Sequence, residues 1–219
     1  MDEKKTAEIE GWLGENEGKL LYELARKCTG KGVIVEIGSW KGKSTIHLAK
    51  GSKAGKNIRV YAIDPHTGSK IQKEKFGKLW TFNEFKNNIM NAGLSDIVTP
   101  LVKTSEEAAR EFKEPVELVF IDGDHDYEMV KLDFELWCPK LVEGGIIACH
   151  DTTNWPGPKK AAEKFIYKSG NFKNIGLVGS ITYAEKSDVF SPVDKLRNSF
   201  VFLLKRFYDG GLLIMGRFR

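Results

Sequence analysis

Five short apolar runs, separated by stretches with helical spacing, constrain this chain more than any other feature. They lie at 33–37, 58–63, 97–102, 116–121 and 145–149, and the first, VIVEI, is rich in β-branched residues, as strands buried on both faces are. Helical stretches fall between them at 44–50, 81–92, 105–112 and 128–137. Strands alternating with helices form βαβ units, and these build a parallel sheet covered by helices on both faces. After a further helix near 159–168, the runs 175–178 and 181–184 flank Gly179-Ser180, a two-residue link suited to a tight hairpin. The expected fold is therefore α/β: a doubly wound parallel sheet with an antiparallel hairpin at its edge.

Two flanking pieces complete the organisation. Residues 1–32 read as a helical extension, with a helix over about 6–28. Its apolar stripe is Leu20, Leu21, Leu24, Ala25 and Cys28, and Gly30 and Gly32 end it. Residues 33–190 form the main domain. Residues 191–219 form an amphipathic tail in which Leu196, Phe200, Leu203, Leu204 and Phe207 share one helix face, with Val201, Phe202 and Tyr208 widening it. That face suits packing on the domain, a homo-oligomer contact, or docking on a membrane surface with Lys205 and Arg206.

Composition removes several classes. A chain of 219 residues buries enough surface to need no staples. Three cysteines, without a C-x-x-C pair, argue against a disulfide framework or a four-cysteine zinc site, and for a reducing cytoplasm. The net charge of +4 is spread among acids along the chain, so nucleic acid is not an expected partner. The acidic, polar start does not read as a signal peptide, and no uncharged apolar run approaches the ~18 residues of a membrane span.

In open α/β sheets ligands bind beyond the carboxyl ends of the strands. Those ends carry Glu36-Ile37-Gly38-Ser39, then Asp64, then Thr104-Ser105, then Asp122-Gly123-Asp124-His125, then His150-Asp151. The first turn nearly matches the phosphate loop G-x-x-x-x-G-K-[ST], but one residue is missing between Gly38 and Gly42. Glu36 would also repel a triphosphate, and the G-x-G-x-x-G fingerprint is absent. A carboxylate there suits a cationic or amino-bearing ligand, and Asp64 can accept ribose hydroxyls. A nucleoside with a positive or amino-acid end and no phosphate tail fits, and S-adenosylmethionine has that form.

The motifs E-I-G-S-x-x-G-x-S, F-I-D-G-D-H-x-Y-E and G-G-x-x-x-x-H-D-T, with Asp64 at the end of the second strand, resemble those of class I S-adenosylmethionine-dependent methyltransferases. The closer resemblance is to the metal-assisted O-methyltransferase branch, including catechol-type, macrocin-type and cephalosporin-hydroxylase-like members, and covers roughly 33–186. It implies a Rossmann-like sheet, S-adenosylmethionine, a divalent metal such as Mg²⁺ or Mn²⁺, and a small-molecule hydroxyl acceptor. It also implies residue roles. Gly38, Ser39 and Gly42 belong to the turn under the methionine part, Glu36 holds its amino group directly or through water, and Ser44 takes its carboxylate. Asp64 takes the ribose, and Thr104 and Ser105, with Glu106, line the adenine edge. Asp122, below the methyl group, joins His150 and Asp151 as metal ligands, and His125 is the general base. Catechol-type members carry Asp-Asn where this chain has His150-Asp151, and the histidine widens the metal choice to Fe²⁺ and Zn²⁺.

Other readings stay open at this stage. Glu36 can cap a turn, His150 can be a hydrogen-bonded core residue, and His125 can pair with Asp124 or Asp126. A non-haem iron oxygenase could use His125, His150 and one of Asp122 or Asp151. A P-loop-like NTPase and a catalytically silent binding module complete the set. The acceptor pocket is expected from the loops 65–80 and 152–158.

Overall fold

The computed structural model describes residues 8–68, 73 and 77–216, with the backbone alone from 210 onward. Seven strands form one sheet: β1 Val33–Ile37, β2 Val60–Ile63, β3 Val98–Leu101, β4 Val116–Ile121, β5 Leu141–Cys149, β6 Phe172–Val178 and β7 Ile181–Lys186. Their order is β3-β2-β1-β4-β5-β7-β6. The first five are parallel and β7 runs antiparallel to both neighbours, so the doubly wound sheet and its edge hairpin are as expected. Among the described residues seven α-helices accompany it: α1 Glu15–Lys27, α2 Lys43–Ala54, α3 Phe82–Asn91, α4 Ser105–Glu111, α5 Tyr127–Trp137, α6 Pro156–Ala162 and α7 Pro192–Gly216.

The register places the functional rim. Ile37 lies opposite both Ile63 and Ile121, and Ile121 lies opposite Cys149. Each strand's next residue then bonds to its neighbour's last one. Gly38 N–H donates to Ile63 O at 2.9 Å, Asp122 N–H to Ile37 O at 2.8 Å and His150 N–H to Ile121 O at 3.0 Å. Four strands therefore stop on one line, and the residues that follow them meet. Two apolar clusters sandwich the sheet, one around Leu21, Ile46, Leu48 and Phe120, the other around Val119, Phe134, Trp137 and Ile147.

Several details depart from the sequence expectation. The expected helix over 6–28 is α1, which starts at Glu15, where Glu17 folds back to accept the Gly14 N–H at 2.7 Å; residues 8–14 are not helical, and the start of the expected span lies outside the described residues. β5 begins four residues early, and a register shift between Val116 and Leu118 absorbs the Gly144-Gly145 pair inside it. The helix after it begins at Pro156, and its last turn, Glu163–Tyr167, widens into a π-helix.

The tail is helical, but its apolar stripe faces outward. Leu196 is 74% exposed and Phe207 71%, whereas Lys205 and Asp209 are buried. Lys205 Nζ lies 2.7 Å and Lys159 Nζ 2.9 Å from Asp209 Oδ2, and the Phe202 ring lies 5.0 Å from that of Tyr167. Val201 packs on the apolar cluster beneath the sheet, and Asn198 and Arg197 donate to Phe172 O and Asn174 Oδ1 of β6, so the helix docks through its flank while the stripe of Leu196, Phe200, Leu203, Leu204 and Phe207 stays outside.

The extension docks by close backbone approach. A Cβ on Gly51 of α2 would come within 2.1 Å of the Tyr22 carbonyl oxygen of α1. Gly51→Ala is expected to push the two helices apart and to cost about 1–3 kcal/mol. Urea unfolding of the full chain measures this, and an unchanged midpoint would show that α1 is not seated on α2.

Candidate active site

The rim is built around a turn that only glycine can start. Gly38 has φ +84°, and a Cβ there would sit 2.3 Å from the Asp122 carbonyl oxygen. The turn is held by the carboxylate that ends β2. Asp64 Oδ2 accepts the Ser39 N–H at 2.9 Å and the Trp40 N–H at 2.8 Å, and Oδ1 accepts the His66 N–H at 2.6 Å. Three of its roughly four acceptor sites are thus already used.

Above the turn opens a cavity of about 510 Å³. Of the residues singled out in the sequence, Gly38, Ser39, Ser44, Asp64, Thr104, Ser105, Asp122, His125, His150 and Asp151 line it. Gly42 and Glu36 do not. Gly42, with φ +90°, is the N-cap of α2 and packs toward Phe85 and Ile89. Glu36 is fully buried beneath the wall, where its Oε2 accepts the Thr45 hydroxyl and Ser44 adds a hydrogen bond. Burial pushes its carboxyl up to about 8, and its Oε1 has no partner among the described residues. Glu36 thus lies behind Ser44, which does line the cavity.

The cavity is strongly anionic. Glu10, Asp64, Asp122, Asp124, Asp133 and Asp151 line it, against Lys43 as its sole lysine or arginine among the described residues. Two wall atoms, Ser39 Oγ and Trp40 Nε1, are buried and without a partner among the described residues. An acid-lined pocket with unmet polar atoms favours a cationic, polar ligand and disfavours polyphosphates.

At the far side Asp122, His150 and Asp151 converge. One donor atom from each lies within 4.8 Å of the others, close enough for a single divalent ion to touch all three at bonds of about 2.0–2.6 Å. His150 Nδ1 is 2.9 Å from Asp122 Oδ1 and 3.5 Å from Asp151 Oδ2, and its Nε2 is 3.4 Å from Glu17 Oε2. Burial works against charge on this ring, but the surrounding carboxylates outweigh it and hold the ring protonated up to about 11. Asp151 has φ +58°, a left-handed conformation that aspartate tolerates better than most residues.

His125 joins the same cluster. Its Nε2 lies 2.9 Å from Asp151 Oδ2, and its ring stacks on Trp155 with centroids 4.2 Å apart. A proton on Nε2 shared with Asp151 leaves Nδ1 as the nitrogen able to accept another.

Sequence reasoning missed three contributors. Glu17, on α1, reaches His150 across 133 positions of sequence. Asp133, on α5, looks like a helix-surface acid but is 5% exposed and hydrogen-bonded to Ser105, which also accepts the Trp137 indole N–H at 2.9 Å. The stretch Glu10 to Leu13 walls the mouth, where the Trp12 and Trp40 rings lie 5.8 Å apart. A charged residue inside an apolar helix stripe is the only signal that could have pointed to Glu17 or Asp133. Of the expected acceptor loops, Pro65, Gly68 and Trp155 line the cavity, and 69–72 and 74–76 lie outside the described residues.

Comparison with known proteins agrees with this layout. A family model described as a methyltransferase domain matches residues 35–152, and the chain belongs to that family. A curated but uncharacterised protein of Sinorhizobium fredii, y4gI, is 43% identical over 121 residues, a match covering 54% of this chain and 13% of that much longer protein. The O-methyltransferase of Bacillus cereus, solved with S-adenosylhomocysteine, is 22% identical with a TM-score of 0.58, covering 84% of this chain and 86% of that one. The O-methyltransferase TomG of Streptomyces achromogenes, solved with S-adenosylmethionine, is 18% identical with a TM-score of 0.60, covering 80% and 82%. At these identities the solved structures show a common fold.

Asp133 gives a pH signature. Burial raises its carboxyl from 3.8 to about 7, with Asp124 adding to the rise and Ser105 opposing it. The folded chain therefore holds a proton that the unfolded chain releases, so this contribution is intact below pH 3.8 and drains away toward pH 7. Asp133→Asn keeps the shape without the titration. The variant is expected to gain stability over wild type at pH 8 but not at pH 4, and thermal melts across that range measure it. Parallel melting curves for the two proteins would contradict this placement of Asp133.

Proposed function

We propose that this member of the methyltransferase-domain family is an S-adenosylmethionine-dependent O-methyltransferase that acts, with a divalent metal, on a hydroxyl of a small molecule. The observation that carries the reading is the anionic cavity with the Asp122–His150–Asp151 cluster at one side and the Asp64-held turn at the other. A sulfonium is a cation, so this wall attracts it and a nucleoside triphosphate does not gain.

Each residue's part follows from its position. Gly38 and Ser39 let the ligand approach the backbone, and its carboxylate sits at the first turn of α2 beside Ser44, where free N–H groups favour anions. Asp64, with three N–H donors in place, keeps about one acceptor site for a ribose hydroxyl. Thr104 and Ser105 flank the adenine. Asp122, His150 and Asp151 would hold the metal. When bound, S-adenosylmethionine brings an electrophilic methyl group and the metal lowers the pKa of the acceptor hydroxyl. His125, steered by Asp151 and stacked on Trp155, takes the hydroxyl proton at Nδ1. Trp12, Trp40 and Trp155 keep the walls apolar, which suits a displacement in which opposite charges cancel. Positioning of this kind is what an in-line transfer needs most.

The three cysteines are unpaired in the fold, which supports the cytoplasm as the place of action. Among the described residues no helix is long and apolar enough to cross a membrane. The outward apolar face of α7 supports a homo-oligomer contact there.

A second reading has its own support. Both nitrogens of His150 already have carboxylate partners, so the ring could serve as a fixed cation that ties β4, β5 and α1 together, without metal. Chelation separates the two. With S-adenosylmethionine and a panel of phenolic and sugar acceptors, chelator-treated enzyme is expected to lose turnover and recover it with Mg²⁺ or Mn²⁺. Full turnover after chelation favours the second reading.

Calorimetry with S-adenosylhomocysteine is the direct test of the cofactor, and absence of binding would sink the methyltransferase reading. His125→Ala is expected to lower kcat by about 10²–10⁴ while cofactor affinity stays within a few fold. A variant that keeps the wild-type rate would make His125 a loop residue.

A further inference from the structure

We propose that Glu17 is a positioning residue for the metal centre: it accepts the Nε2–H of His150 and so aims the Nδ1 lone pair at the ion held with Asp122 and Asp151. The inference rests on the metal reading above and assigns a role to a residue of the N-terminal helix.

Three observations carry it. The first is geometry, because His150 Nε2 lies 3.4 Å from Glu17 Oε2 while Nδ1 lies on the opposite side of the ring, 2.9 Å from Asp122 Oδ1. Without an ion both nitrogens face carboxylates; an ion seated between Asp122 and Asp151 takes the place of the Nδ1 proton, while the Nε2 proton stays with Glu17 and leaves Nδ1 as the ligand. The second is confinement, since Glu17 is 7% exposed and His150 4%. Glu17 Oε1 accepts the Ser180 N–H at 2.7 Å and its hydroxyl at 2.9 Å, and Oε2 also accepts the Gly14 N–H at 2.7 Å. Both oxygens are pinned, so the carboxylate cannot swing away from the ring. The third is room made for it: a Cβ on Gly179, at the hairpin turn, would stand 2.5 Å from Glu17 Oε1. The hairpin and the α1 start thus close around one carboxylate that faces one histidine.

Glu17→Gln tests this by offering an amide N–H where an acceptor is needed. Its carbonyl can still take the Ser180 donors, but its amide would favour His150 with Nε2 bare and Nδ1–H facing the ion. Mn²⁺ titration of the full chain, followed by calorimetry or by the electron paramagnetic signal of free Mn²⁺, is expected to show about 10- to 100-fold weaker binding. In a His150→Asn background the same substitution is expected to change Mn²⁺ affinity by less than about twofold, because the ring it acts through is gone.

A measurement on the unmutated chain covers the case in which Glu17→Gln does not fold. In histidine-¹⁵N-labelled, Zn²⁺-loaded protein, His150 is expected to show a protonated Nε2 and a metal-bound Nδ1. Equal Mn²⁺ affinity in wild type and Glu17→Gln, or a Zn²⁺-bound Nε2, overturns the role of Glu17 alone. A wild-type chain that binds no Mn²⁺ overturns the metal reading and this inference with it.

Discussion

One buried imidazole holds the functional end of this molecule together. His150 follows β5, and its ring touches Asp122 after β4, its own neighbour Asp151, and Glu17 from a helix at the other end of the chain. Removing a charge of either sign would leave the others buried and uncompensated, a cost of several kcal/mol. The arrangement therefore persists only if the ends of β4 and β5 and helix α1 are seated together. The sheet register does most of that seating, because the strands end in line before any side chain is considered.

Asp64 works on the opposite side of the cavity. It holds the backbone of the turn after β1, so the same carboxylate that is a candidate for the ribose also shapes the wall beside it. A substitution there removes two things at once, and a binding defect alone would not say which. Ser39 Oγ and Trp40 Nε1, buried and unmet nearby, are cleaner reporters of what the pocket recognises.

Much of this was legible in the sequence, for reasons that have limits. Strands β1 and β4 were readable to the residue because both are buried on two faces and so carry a dense apolar run, broken in each by a single glutamate, Glu36 or Glu117. The rim residues were readable because strand ends in such sheets converge by topology. Glu17 and Asp133 were not, because an acid on a helix defaults to the solvent side and only the tertiary fold turns it inward. The α7 stripe failed for the converse reason. Periodicity finds an apolar face but does not say what lies against it, and here Lys205 and Asp209 take the inside place through paired charge. Glu36, readable as an acid at the first turn, is buried behind Ser44 rather than in the cavity wall, a depth that the sequence does not carry.

The tryptophans have an optical consequence. Of the five in the chain, Trp12, Trp40 and Trp155 line the cavity, and Trp155 is stacked on the imidazole of His125. Any solute entering the cavity changes the surroundings of three fluorophores together. The protein therefore carries its own reporter: steady-state fluorescence, without label or substrate turnover, follows the occupancy of the site.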